Sequence, residues 1–149
     1  MRREIRQAEG ADLDAIRTVV NKAYEVYVPL MDRTPAPMLD DYMTLIAENK
    51  VTVVLDSGRI VGVLVAWIED EAVYVDNIAI DPASQGAGIG CELLDVAAEF
   101  AKTAGLGRVW LYTNALMQNN IGYYERRGFV VTGRRLDKGY DRIYFERML

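Results

Sequence analysis

Gln85-Gly86-Ala87-Gly88-Ile89-Gly90 is the stretch of this chain whose residue types most directly imply chemistry. An extended apolar run, Val73 to Ile80, precedes it and is closed by Asp81-Pro82. Apolar residues at helical spacing follow it: Ile89, Leu93, Val96, Ala97, Phe100, Ala101 and Ala104. The order is strand, glycine turn, helix. The first N–H groups of a helix have no partner inside it and sit at the positive end of the macrodipole. Glycines remove the side-chain wall, so such a turn readily holds a phosphate, and a pyrophosphate is the expected ligand. It is not the dinucleotide fingerprint, because the spacing Gly86-x-Gly88-x-Gly90 does not match and the loop from Asp81 to Gln85 is too long. A P-loop is excluded by the lack of Gly-Lys-Ser/Thr.

The rest of the composition narrows the chemistry further. Histidine is absent, so no histidine base, histidine metal ligand or Ser-His triad exists here. Cys91 is the one cysteine, which excludes an intrachain disulfide and a cysteine-based zinc site. No metal is expected. A net charge of −5 argues against a nucleic-acid partner. It weakly favours a cationic substrate such as an amine, and solubility alone is the reading that carries more weight. No signal peptide and no bilayer-spanning apolar run is visible, so a cytoplasmic protein with no membrane partner is expected.

These features need a scaffold, and 149 residues suit a single domain over 1–149 with a sizeable core. Met1 to Glu4 lead into a short amphipathic segment, and Glu4 to Gln7 read as a first strand. Asp12 is placed to cap a helix with apolar positions Leu13, Ile16, Val20, Ala23 and Tyr27. Pro29, Pro35 and Pro37 break regularity across Val28 to Pro37, a loop that either lines a substrate pocket or simply joins two helices. A second helix is predicted over Met38 to Glu48, with Leu39, Tyr42, Met43 and Ile46 on one face. Val51 to Leu55, Ile60 to Ile68 and Ala72 to Ile80 read as an antiparallel meander with turns at 56–59 and 69–71. Gly62 marks a bulge or a close approach. A helix from Gly88 to Ala104, a strand from Arg108 to Thr113, a helix from Met117 to Arg127 and strands at Phe129 to Gly133 and Arg142 to Met148 complete the chain. Strand, helix, strand of this length implies a parallel crossover, so the class is mixed α/β with helices on both faces of a mixed sheet.

At this point the sequence resembles the GNAT (GCN5-related N-acetyltransferase) superfamily. The family's acyl-CoA signature, Arg or Gln, two residues, Gly, one residue, Gly or Ala, is met by Gln85, Gly88 and Gly90. Asn77-Ile78-Ala79-Ile80-Asp81-Pro82 is similar to the family's splayed strand, and Asn120 with Tyr123-Tyr124-Glu125-Arg126-Arg127-Gly128-Phe129 to its last helix and exit. The closing Gly139-Tyr140-Asp141-Arg142 and Met148-Leu149 resemble many bacterial members. The resemblance implies acetyl-CoA as cosubstrate, an amine as acceptor and a homodimer. It implies a pantetheine arm paired with the strand through Ile78, Ala79 and Ile80, and a pyrophosphate on Gln85 to Gly90. It also implies an acyl thioester ending near Tyr124.

Acyl transfer to an amine needs no protein nucleophile; the tasks are to hold the anionic cosubstrate, polarise the carbonyl and move protons. A strand N–H near Ile78 is the candidate donor to the oxyanion. Tyr124 is the candidate acid, since a phenol of pKa about 10 is protonated at neutral pH and a thiolate of pKa about 8.5 would accept its proton. Asn120 lies four residues before Tyr124, on the same helix face, and is the candidate contact to the pantetheine arm, with Asn119 as competitor. Asp76 is the candidate base, its pKa open to elevation by burial; a carboxylate satisfied by a neighbour is the other reading. Tyr24, Tyr27, Met31 and Tyr140 are candidate acceptor contacts. Glu69, Asp70 and Glu71 read as a solvated turn, Cys91 as a small buried residue, and Trp67 and Trp110 as core or pocket walls. The rival function is a non-catalytic acyl-CoA-binding sensor.

Overall fold

The computed structural model describes residues 3–149. Met1 and Arg2 of the amphipathic start lie outside the described residues. The chain is mixed α/β, with a seven-stranded sheet in the order β1-β2-β3-β4-β5-β7-β6. The strands are β1 Arg3–Gln7, β2 Val51–Asp56, β3 Arg59–Glu69, β4 Ala72–Ile80, β5 Arg108–Asn114, β6 Val130–Asp137 and β7 Tyr140–Met148. The helices are α1 Leu13–Tyr24, α2 Tyr42–Ala47, α3 Ile89–Thr103 and α4 Gln118–Glu125. No helix among the described residues is long and apolar enough to cross a membrane. The described residues group into two compact units, 3–66 with 77–93 and 67–76 with 94–149.

In the first unit β1 and β3 flank β2, both antiparallel to it. Val51, Val53, Val54, Leu55, Val61, Val63, Leu64 and Val65 are all buried, which is why β2 and β3 read as near-continuous apolar runs rather than alternating ones. The expected feature at Gly62 is present in both senses. Val54 pairs with Gly62 and Leu55 with Ile60, so Val61 is the extra residue of a bulge. A Cβ on Gly62 would lie 2.8 Å from Ile89 Cγ2 and 3.5 Å from Leu93 Cδ1. The first turn of α3 therefore packs directly on this strand.

The helical segments of this unit depart from the sequence expectation. Asp12 makes no side-chain cap on α1. Its carboxylate instead accepts the Glu9 N–H at 2.8 Å and two Arg6 N–H bonds at 2.8 and 3.1 Å, so the ion pair outcompetes the cap. α1 ends at Tyr24 and leaves Tyr27 in a 3-10 segment, Glu25–Leu30, that contains Pro29. The predicted helix over 38–48 contracts to the six residues of α2, preceded by a 3-10 turn at Ala36–Leu39. Only Tyr42 and Ile46 of its predicted face are buried, while Leu39 and Met43 are exposed. Asp41 caps α2 by accepting the Thr44 N–H, which starts the helix later than periodicity alone suggests.

In the second unit β4 runs parallel to β5 through Val73, Tyr74 and Val75 against Val109, Trp110 and Leu111. β5 and β7 are antiparallel over seven pairs, and β6 closes the order against β7. Burial alternates along β5: Val109, Leu111 and Thr113 are buried, while Trp110, Tyr112 and Asn114 are half-buried. Leu94, Ala97, Ala98 and Ala101 of α3, with Phe129 and Phe145, fill the core. The last helix is shorter than expected, and β6 starts at Val130 and continues past Gly133 to Asp137.

Gly62→Ala should destabilise the protein by about 1–3 kcal/mol, because Ile89 is 2% exposed and has no room to retreat. Gly10→Ala, where a Cβ meets nothing within 4 Å, should be neutral or slightly stabilising; urea unfolding of both variants is the check. Arg6 holds the Asp12 carboxyl below its ordinary value, chiefly by hydrogen bonding. A depressed folded-state pKa contributes stability above the unfolded value and loses it as pH falls through the folded one. Asp12→Asn should therefore lower the urea midpoint near neutral pH, with the gap to the parent closing in acid.

Candidate functional site

The glycine turn lies in the first unit. Asp81 prepares it: its N–H bonds Val61 O at 2.9 Å, and its buried carboxylate accepts the Ala83 N–H at 3.0 Å and Arg59 at 3.3 Å. A single 3-10 turn, Pro82–Ser84, leads to Gln85, whose N–H reaches Pro82 O at 3.4 Å. Gly86 and Gly88 then adopt φ of +84° and +82°, the left-handed region that glycine enters without penalty. The Glu92 N–H closes the first α3 bond onto Gly88 O at 3.1 Å. By helix geometry the amides of Ile89, Gly90 and Cys91 precede it without intrahelical acceptors. Gln85, Gly86 and Gly88 are exposed, Ala87 is half-buried, and Ile89 and Gly90 are buried. The exposed turn therefore stands at the positive end of a helix of 15 residues, where amides without helical acceptors favour an anion. Cys91, expected to be buried, is exposed, because it points away from the face that Ile89 and Leu93 bury.

Along β4, Ile78 and Ile80 are half-buried and Ala79 is buried. The Tyr24 hydroxyl donates to Asn77 Oδ1 at 2.6 Å and approaches the Ile78 carbonyl at 3.3 Å. Asn77 Nδ2 donates to the Tyr42 hydroxyl at 2.9 Å, and that hydroxyl donates to Pro37 O at 2.6 Å. Tyr24 is thus brought to the strand of the expected cosubstrate contacts. Tyr27 lies beside it, with ring centroids 6.5 Å apart, and Met31 is half-buried beyond. Sequence reasoning missed Asn77 and Tyr42 as partners. A buried asparagine in an apolar strand was the signal, since such a group must find hydrogen bonds.

The second unit holds Tyr124, Asn120, Asp76 and Tyr140. Tyr124 is half-buried, its ring packed between Phe129 at 5.7 Å and Phe145 at 5.5 Å, with Tyr123 edge-on at 5.3 Å. Tyr123 is occupied differently, with the Arg127 guanidinium 3.5 Å from its ring centre. Asn120 Nδ2 donates to Thr113 Oγ1 at 3.1 Å, which orients the amide on the Tyr124 side of α4. Asp76 is half-buried and accepts the Tyr74 hydroxyl at 2.8 Å. Burial, reinforced by the Asp76 charge, pushes the Tyr74 phenol far above its ordinary value, so Tyr74 serves as a fixed donor. Tyr140 is half-buried at the start of β7, with the Arg142 guanidinium 5.3 Å from its ring.

A model of the acetyltransferase (GNAT) family matches residues 13–129, and the chain belongs to that family. A streptothricin acetyltransferase of Streptomyces lavendulae is 34% identical over 68 residues, which are 46% of this chain; the match spans 35% of that relative's length. The PaiA N-acetyltransferase of Thermoplasma acidophilum, solved in complex with coenzyme A, superposes with a TM-score of 0.85 at 16% identity over 100% of both chains. The ribosomal-protein-S18-alanine N-acetyltransferase of Escherichia coli does so with a TM-score of 0.76 at 20% identity, over 99% of this chain and 94% of that one.

The backbone of the glycine turn can be tested directly. A Cβ at Gly86 or Gly88 meets nothing within 4 Å, so any loss on substitution comes from φ alone. Each glycine-to-alanine change should cost about 1–2 kcal/mol. Gly107→Ala, with open space and no positive φ, should cost less; thermal melts of the three variants compare them.

Proposed function

We propose that the chain transfers the acetyl group of acetyl-CoA to a primary amine by direct attack in a ternary complex. The observation that carries this reading is the start of α3, where two left-handed glycines precede three amides without helical acceptors, in a chain of this family. In this reading Gln85 to Gly90 hold the pyrophosphate, and the backbone of Ile78, Ala79 and Ile80 pairs with the pantetheine arm. Asn120 steadies the arm near its thiol. Backbone N–H groups suffice for an anionic cosubstrate in an acidic chain, because helix-terminal dipoles act locally.

The neutral amine nitrogen bonds the acyl carbon, and an N–H near Ile78 holds the oxyanion. The C–S bond breaks with its electron pair on sulfur. Tyr124 supplies the thiol proton, Asp76 takes the proton leaving nitrogen, and solvent returns it. Tyr24, Tyr27, Met31 and Tyr140 contact the acceptor. A cytoplasmic homodimer belongs to the same reading.

Thiol release from acetyl-CoA against a panel of amines is the test. Release should require both substrates. Acetyl-CoA binding with no release for any amine would point to a sensor instead. Tyr124→Phe should lower kcat by about tenfold or more with acetyl-CoA affinity retained, and an unchanged kcat would remove Tyr124 from the mechanism.

A further inference from the structure

Five aromatic rings from four strands gather on one sheet face of the second unit: Trp67, Tyr74, Trp110, Tyr112 and Tyr144. Tyr74 is central. Its ring centre lies 4.3 Å from Trp110, 5.1 Å from Trp67 in an edge contact at 72°, and 6.0 Å from Tyr112. Tyr144 continues the cluster 5.5 Å from Tyr112. Along β5 these rings alternate with the buried Val109, Leu111 and Thr113, so they occupy the opposite face. Trp67, Trp110 and Tyr112 are half-buried there, more aromatic surface than a finished core leaves to water.

The charge around the rings has one sense of recognition. The chain's own guanidinium groups already stack on this face, Arg142 at 4.1 Å from the Tyr112 ring centre and Arg135 at 4.2 Å from that of Tyr144. Carboxylates edge it. Asp76 accepts the Tyr74 hydroxyl, Glu69 accepts the Trp67 Nε1–H at 3.4 Å, and Glu146, opposite Trp110 in the β5–β7 register, pairs with Arg108 at 3.6 Å.

We infer that this face is an acceptor subsite for a cationic group, and that the acceptor is a diamine or polyamine. The inference rests on the acetyltransferase reading. An aromatic face stabilises an ammonium in its charged form. The nitrogen that attacks a thioester must be uncharged. One amino group cannot satisfy both conditions, so the group on the rings is a second one. The attacking nitrogen lies at Asp76, and the retained ammonium lies over the half-buried Trp67 and Trp110, which flank the buried Tyr74. The net charge of −5 favours the approach of such a dication.

Trp67 and Trp110 are the chain's two tryptophans, so intrinsic tryptophan emission reports on this face alone. Tetramethylammonium and putrescine, titrated into the full chain without acetyl-CoA, should change that emission saturably, and neutral tert-butanol should not. In the transfer assay kcat/KM for putrescine should exceed that for butylamine by about tenfold. Trp67→Leu should reduce that ratio towards one at unchanged acetyl-CoA affinity, and Trp67→Phe should retain most of it. Transfer to amines with no preference for putrescine and no saturable cation response overturns the subsite while the acetyltransferase reading stands. A saturable cation response without transfer to any amine supports the cation site and overturns the acetyltransferase reading.

Discussion

The contact between β3 and the first turn of α3 sets the position of everything that follows it. At residue 62 the strand has no side chain, and Ile89 fills the space. The neighbouring residue of the same bulge, Val61, gives its carbonyl to the Asp81 N–H. The loop between β4 and α3 is therefore fixed at its start by Val61 and at its end by Gly62. A loop anchored at both ends on one rigid strand presents its amides in one arrangement, which is the preorganisation an anion seat requires. The bulge is what makes both anchors available from adjacent residues.

Much of this scaffold was legible because local pattern and final environment agree. The buried runs of β2, β3 and β4 and the turn glycines are determined by near neighbours, and their predicted bounds differ from the structure by a residue or so. The helical segments between Asp12 and Ala47 were less legible. There a salt bridge to Arg6 redirects Asp12, and prolines with a cap at Asp41 shorten the second helix. Both effects depend on competing partners, which periodicity does not weigh. The glycine turn stood out because its chemistry is in its backbone. Asn77 and the aromatic face did not, because their meaning lies in pairs separated by tens of residues. Trp110 and Tyr74 meet only once the parallel register aligns them, and Tyr144 joins through the antiparallel register of β7.

The absence of histidine shapes the chemistry in a useful way. Without an imidazole, proton movement at neutral pH falls to groups whose environments must be arranged. The structure arranges two kinds of phenol in one unit. Tyr74 is locked by burial and by a carboxylate into permanent donation, which orients Asp76 and forms the centre of the ring cluster. Tyr124 is held by apolar packing against Phe129 and Phe145 at the end of a short helix. The same residue type is thus hydrogen-bonded and buried in one place and packed between rings and half-buried in the other.

The hydrogen bonds from Tyr24 through Asn77 and Tyr42 to the Pro37 carbonyl run in a single donor direction. The segment from Glu25 to Asp41 is consequently stapled at either side to one asparagine. Much of the entropy a free connection would surrender on meeting a guest has already been given up during folding. The segment is therefore held as a fixed rim rather than a tail, and the amide of Asn77 is the clasp that closes it at both ends.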